Sequence, residues 1–190
     1  MFGLLADEFE PATENVALKA LIADRIRRQG TITFRDFMDL TLYHPQHGYY
    51  SSHRRRTGRH GDYLTSPEVH PVFGYLVAKQ VWQIWKLMGR PQPFTVVEMG
   101  PGRGLLCRDI LRWAKTRAPD LYGALSYCMV QRGDHVRQEA LWNIQQANVD
   151  MDRITWAETL PQGVVGCFLS NELVDSFPVH RVAVIQGELQ

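Results

Sequence analysis

The sequence predicts an α/β fold, a parallel sheet wrapped by helices, preceded by a segment of helices and loop. Three observations predict it. An apolar run, Phe94 to Val97, leads into glycines at positions 100, 102 and 104 and then directly into a helical pattern. Behind it, apolar strand runs alternate with helical periodicities in the order strand, helix, strand, helix, strand, strand, which is the signature of a parallel sheet. Before it, residues 1–92 carry helical patterns and a long polar stretch with no strand pattern at all. The expected division is therefore an extension over 1–92 and a sheet domain over 93–190.

The elements follow from the periodicities in order. Leu18, Leu21, Ile22 and Ile26 lie at helical spacing, and Gly30 is a stop for that helix. Thr33 can cap a second helix bearing Phe34, Phe37, Met38 and Leu42, which Pro45 and Gly48 break. Residues 51–68 have no apolar period and are rich in turn formers, so they predict a long loop, the kind that serves as a lid or binding loop. From Pro71, a stripe of Phe73, Val77, Val81, Ile84, Trp85 and Met88 predicts a helix closed by Gly89 and Pro91. The helix after the glycines carries Leu106, Ile110, Trp113 and Ala114 and stops before Pro119. Tyr127 to Val130 is the second strand, and Val136, Ala140, Ile144 and Ala147 mark the next helix with Asp134 as its cap. Ile154 to Trp156 and Val164 to Leu169 are the remaining strands, the last apolar enough to be buried on both faces.

Composition limits the function classes. Twenty-one Lys and Arg against twenty Asp and Glu leave a net charge of +1, so no global field argues for nucleic acid. The local run Arg54-Arg55-Arg56 reads either as a solvated loop face or as a contact for RNA. No apolar run approaches the roughly 18 residues that a membrane span needs. The first sixteen residues are acidic with no Lys or Arg, unlike a transit peptide. This reads either as a cytoplasmic protein or as one whose targeting segment is absent. Cys107, Cys128 and Cys167 are odd in number and scattered in apolar runs, as reduced core thiols are. His44, His47, His53, His60 and His70 come without the paired spacing of a metal site, and none is expected.

The glycine spacing decides between ligands. A dinucleotide fingerprint needs G-x-G-x-x-G, but residue 105 is Leu; a phosphate loop needs Gly-Lys-Ser or Gly-Lys-Thr, which Gly104-Leu105 is not. What stands is Glu98-x-Gly100-x-Gly102-x-Gly104, an acid two residues before three alternating glycines. This resembles the first motif of the class I S-adenosylmethionine-dependent methyltransferases. A carboxylate there suits a cofactor that carries an ammonium and a sulfonium. A bare tight turn with a solvated Glu is the plainer alternative.

Further motifs sharpen the resemblance. Ile32 to Met38, Tyr43-His-Pro-Gln-His-Gly-Tyr-Tyr50, Gly61-Asp-Tyr-Leu-Thr-Ser-Pro-Glu68, Val97 to Gly104 and Asn171-Glu-Leu-Val-Asp-Ser-Phe-Pro-Val-His180 resemble, in order, the MidA-like methyltransferases, a family linked to arginine methylation and respiratory complex I assembly. The resemblance implies a class I, Rossmann-like methyltransferase sheet with S-adenosylmethionine as cofactor, a protein substrate, and an N-terminal extension closing over the site. By motif, Gly100, Gly102 and Gly104 would border the methionine end of the cofactor and Glu98 would hold its ammonium. Asp62, Thr65, Ser66 and Pro67 would belong to the lid, and Asn171 and Glu172, with Asp175 behind them, to the methyl-transfer site. Ser170 and Asn171 are equally explained as caps for a following helix. Members of the family are longer, and Arg181 to Gln186 reads as a strand, so this chain is expected to match the N-terminal half and to leave apolar strands unpaired, with self-association as the outcome. A catalytically weak binding factor that keeps the fold is the alternative to an enzyme.

One departure from the family pattern is testable on its own. Where the family has an acid for the ribose hydroxyls, this chain has Gln131, which keeps a hydrogen bond and loses the charge. Gln131→Glu is expected to tighten cofactor binding in a calorimetric titration. A loss of affinity confined to Asp134→Asn would instead move the ribose contact to Asp134.

Overall fold

A computed structural model describes residues 14–51, 61–62, 64–131 and 136–189. The Arg54 to Arg59 stretch, His53, His60 and Asp134 lie outside the described residues. In chain order the elements are α1 (Val16–Gln29), α2 (Phe34–Tyr43), α3 (Ser66–Val69), α4 (Val72–Leu87), β1 (Phe94–Met99), α5 (Leu105–Arg117), α6 (Pro119–Ala124), β2 (Leu125–Val130), α7 (Arg137–Gln145), β3 (Ile154–Ala157), β4 (Gly166–Ser170), β5 (Val184–Ile185) and β6 (Glu188–Leu189). They divide into two compact units, one drawn from Met1–Ser52 and Ser176–Gln190, the other from His53–Asp175.

In the larger unit β3, β2, β1 and β4 form one sheet in that order, every pair parallel. This is the α/β class expected. Alternation decides the two faces, because successive side chains of a strand point opposite ways. Phe94 and Val96 of β1 and Leu125, Tyr127 and Met129 of β2 meet Val81 and Trp85 of α4, Ile110 and Leu111 of α5 and Ile144 of α7 in the main core. Full burial of an apolar side chain such as Phe94, Ile110 or Leu111 stabilises by about 1.5–3 kcal/mol. The other face carries a smaller cluster of Val97, Cys128 and Val130. All three cysteines are free thiols, two of them buried.

The structure corrects several expectations. Residues 66–69 are a helix, not loop, because Thr65 and Glu68 form a capping box with Pro67 in the first turn. The buried face of α4 is Gly74, Ala78, Val81 and Trp85, while Ile84 and Met88 are exposed. Gly74 sets that rotation: a Cβ there would come within 2.5 Å of Asp109 Cβ on α5, so the two helices approach through the glycine. α5 stops before Pro119 as expected, at Arg117, and Pro119 then opens a further short helix, α6, that the periodicity had not marked. β1 runs on to Met99, which puts Glu98 inside the strand and not in the loop.

β4 differs most. Its apolar composition predicted burial on both faces, yet among the described residues it is an edge strand, paired with β1 alone, and Phe168 is 54% exposed. Hydrophobic composition reports that a strand is to be covered, not by what.

The smaller unit is thinly packed. Asn15 caps α1 and reaches His47 O at 3.1 Å, and Thr33 caps α2 by accepting from Asp36 N. Leu18 is the buried residue of α1, whereas Leu21, Ile26, Phe34 and Phe37 are exposed. The strand expected over Arg181 to Gln186 is a short antiparallel hairpin of β5 and β6, turning at Gln186 and Gly187, both at positive φ as a tight hairpin turn requires.

An apolar edge strand with open backbone groups is a template for pairing with another chain. Residues 1–190 expressed alone are therefore expected to elute from size-exclusion chromatography as oligomers or aggregate. Phe168→Lys should shift that distribution towards monomer; a monodisperse monomeric parent would contradict the expectation.

Candidate functional site

The site forms where β1 leaves the sheet. Gly100, Gly102 and Gly104 all have positive φ, at 65°, 49° and 70°, a region in which residues with a Cβ are disfavoured. Each glycine serves a different purpose. A Cβ on Gly100 would meet Leu173 Cδ1 at 2.8 Å, so Leu173 seats the segment after β4 against the loop. A Cβ on Gly104 would press on Ala140 and Ile144 at 3.1 Å, so this glycine lets α7 pack on the start of α5. At Gly102 a Cβ would meet nothing within 4 Å. The first two are demanded by packing; the third leaves a face open to a ligand.

Around this loop lies a cavity lined by Thr65, Pro67 and Glu68 from α3 and its cap, Glu98, Gly100 and Gly102, and Asn171 and Glu172. Arg103, Leu105 and Leu106 complete its wall towards α5. A larger hollow, near Pro93, Ser126, Thr155 and Gln162, is remote from the glycine loop. The cavity thus unites seven of the residues expected from the sequence: Thr65, Pro67, Glu98, Gly100, Gly102, Asn171 and Glu172. Asp62, Ser66, Gly104, Gln131 and Asp175 are not in its lining. Gln131 directly follows β2, its backbone N–H bonded to Ala157 O at 2.9 Å, one strand over from Gly100. No helix follows Ser170 and Asn171 directly; the next turn is a single 3-10 turn at Val174–Ser176, which leaves them no α-helix to cap. Glu172 is exposed and has φ of 48°, a conformation that costs a non-glycine residue about 1–3 kcal/mol and clusters at functional sites.

Glu98 is the unusual group. It is 2% exposed, and Tyr127 Oη donates to its Oε2 at 2.7 Å. Burial pushes its carboxyl up to about 7, against the smaller opposing effect of the Tyr127 hydrogen bond. Three carboxylates, Glu68, Glu98 and Glu172, line the cavity against one guanidinium, Arg103. Arg103 is already engaged, at 2.7 Å from Glu139 and 3.1 Å from Glu68, so the remaining charge favours a cationic ligand.

Sequence reasoning assigned no role to Tyr127, Arg103 or Leu173. Glu68 stands in the Gly61 to Glu68 motif, but its tie to Arg103 is a tertiary contact. The Thr65-x-x-Glu68 spacing was a legible capping-box signal; the partners of Tyr127 and Leu173 depend on strand register and loop packing, which no local pattern encodes.

Residues 76–190 match the model of a family described as "Putative S-adenosyl-L-methionine-dependent methyltransferase". The chain belongs to this family. Its relatives and neighbours agree with the MidA-like assignment. The Drosophila melanogaster mitochondrial protein arginine methyltransferase NDUFAF7 homolog is 33% identical over 184 residues, covering 87% of this chain and 42% of the relative. The Bos taurus mitochondrial protein arginine methyltransferase NDUFAF7 is 39% identical over 196 residues, covering 90% and 44%. A Burkholderia thailandensis crystal structure, of a "likely methyl transferase" bound to S-adenosyl-homocysteine, superposes with a TM-score of 0.77 at 27% identity over 94% of this chain and 48% of that one. The chain thus spans less than half the length of the relatives it matches. The class I methyltransferase sheet is the fold of the family and of this chain. Among the described residues no helix is long and apolar enough to cross a membrane.

The ties of Arg103 are testable without ligand. Glu68 is a 5% exposed side chain, with Oε1 on Arg103 and Oε2 accepting from Thr65 N at 3.2 Å. Arg103→Met is expected to cost about 1–3 kcal/mol in urea denaturation, since it strands a buried carboxylate. Glu139→Gln, at the more exposed partner, should cost less. Equal costs would show that burial of Glu68 is not what makes the tie strong.

Proposed function

We propose that this chain carries the cofactor half of a methyltransferase that transfers a methyl group from S-adenosylmethionine to an arginine of a protein. The observation that carries the reading is the buried Glu98 in the wall of a cavity whose glycine loop presents an open face at Gly102. That cavity fits the group: it offers close backbone approach, the amino end of a thirteen-residue helix for the ligand's carboxylate, and a surplus of carboxylates for its ammonium and sulfonium. When bound, S-adenosylmethionine supplies an electrophilic methyl on sulfur.

The residues have separable tasks. Glu98 holds the ammonium, while Gly100 and Gly102 admit the methionine end to the backbone. Arg103 keeps the loop tied to α3 and α7 through Glu68 and Glu139. Asp62, Thr65, Ser66 and Pro67 belong to the segment over the site, Gln131 reaches for the ribose, and Gly104 keeps α5 and α7 together. Methyl transfer to nitrogen is an in-line displacement that asks for alignment and electrostatics more than for covalent chemistry. A guanidinium begins protonated, so carboxylates must orient its fork and draw charge away from the attacking nitrogen. In this reading Glu172, in the cavity wall, takes that role, with Asn171 beside it and Asp175 further along the same segment. Names of the relatives support a protein substrate and arginine as acceptor; a complex I subunit is the substrate that the MidA-like resemblance suggests.

A second reading, a binding factor that keeps the fold with little turnover, is favoured by one observation, the neutral Gln131 where the family pattern has an acid.

Two variants separate these readings. Glu98→Gln is expected to weaken S-adenosylmethionine binding by about 1–3 kcal/mol, the range for a hydrogen bond to a charged group. Glu172→Gln should keep cofactor affinity and lower turnover on a protein substrate, as loss of a transition-state contact does. Unchanged affinity in Glu98→Gln would remove the ammonium assignment. Tight cofactor binding without turnover in the parent, on every substrate tried, would favour the binding factor.

A further inference from the structure

We propose that Tyr127 is a positioning residue of the cofactor cavity, pinning one oxygen of Glu98, and that the ammonium the cavity takes up displaces a proton from that carboxyl. This rests on the cofactor reading above and adds to it the residue that controls the charge of the site.

The geometry comes from strand register. β1 and β2 pair in parallel with Val96 opposite Tyr127 and Glu98 opposite Met129, so Tyr127 and Glu98 share a face two residues apart. Tyr127 is fully buried, and its hydroxyl reaches Oε2 of Glu98 at 2.7 Å. That leaves Oε1 as the oxygen for a cation. No positive group among the described residues acts on the Glu98 carboxyl: Tyr127 and burial are its influences.

The titratable neighbours can be taken element by element. Cys107 of α5 and Cys167 of β4 lie close enough to act on Glu98 or Tyr127, and Asp109 of α5 acts on Cys107. Burial raises the thiol of Cys107 well above its usual range and that of Cys167 to about 11, and burial with the Glu98 charge raises the Tyr127 hydroxyl well above its own. All three stay protonated near neutrality. Across the cavity stand Glu68, paired with Arg103, and the exposed Glu172. Glu98 is therefore the group of the buried cluster that changes charge near neutral pH.

The proton balance follows. Below about pH 7 the unliganded cavity holds a neutral carboxyl. An entering ammonium keeps its own protons and donates to the carboxylate, and the carboxyl proton leaves for solvent. A neutral ligand has no reason to eject it. The Tyr127 hydroxyl favours the ionised form, because a hydrogen bond to a charged acceptor is stronger than one to a neutral acceptor. It thereby lowers the pH at which the cavity is ready for a cation.

The test is calorimetry of S-adenosylhomocysteine binding to the 190-residue chain across the pH range, in paired buffers of different ionisation enthalpy, which yields protons released per ligand. The parent is expected to release close to one proton on the acid side of 7 and none well above it, with affinity rising about tenfold per pH unit until it levels. Tyr127→Phe should displace the same curve to higher pH by about one to two units, the worth of one hydrogen bond to a charge. Glu98→Gln should abolish the release and flatten the profile. 5′-Methylthioadenosine, which lacks the amino-acid end, should bind the parent without release. Because the phenylalanine variant could fail to fold, the carboxyl of Glu98 is also followed by carbon-13 NMR in the unliganded parent, where a midpoint in the ordinary carboxylate range would overturn the proposal. Binding without proton release, or coincident curves for parent and Tyr127→Phe, would overturn it while leaving the cofactor reading intact. No binding of S-adenosylhomocysteine at any pH would overturn both.

Discussion

The turn by which the chain leaves β1 constrains everything near it. Three backbones at positive φ within five residues bring the end of a fully paired central strand straight into α5, and two of those glycines are also contact points, Gly100 for Leu173 and Gly104 for Ala140 and Ile144. Because the first contact seats the segment after β4 and the second seats α7, the loop is a junction of three chain segments distant in sequence. A side chain at either position would be opposed twice, once by backbone strain and once by packing.

Charge is arranged on the same junction. Arg103, the residue between the last two glycines, is spent on Glu68 and Glu139, while Asn143 Nδ2 donates to its carbonyl at 3.0 Å. The loop is thus tied to α3 and α7 by polar contacts as well as by its glycines. Glu68 serves twice, capping the turn at Thr65 and holding Arg103. What remains unneutralised in the cavity is acidic, and the most buried of those acids is Glu98. A carboxyl so placed stays protonated to near neutrality unless a cation arrives, which makes the wall of the cavity responsive to its ligand.

The larger unit also shows what a parallel sheet needs. Its helix-covered face holds the main core, but β4 lies at an edge with Phe168 exposed, and the chain spans under half the length of its matched relatives. That edge strand delivers Asn171 and Glu172 to the cavity, whose remaining lining comes from α3, the end of β1, the glycine loop and the start of α5.

Much was legible in the sequence because it is local. Alternating strand runs, helical stripes and glycine spacing act over a few residues, so the parallel α/β class, the β1 turn and the placing of Glu98, Gly100 and Asn171 near one another could be read directly. Even the capping box at Thr65 and Glu68 was spelled out. Long-range packing is not local. Which face of α4 is buried was decided by Asp109 pressing on Gly74, a contact across thirty-five positions that outweighs the stripe drawn by Ile84 and Met88. Whether β4 is central or at an edge was decided by what pairs with it, which its own composition does not record. And the bond between Tyr127 and Glu98 exists only because parallel register sets Val96 opposite Tyr127, a relation between two strands that neither strand carries alone.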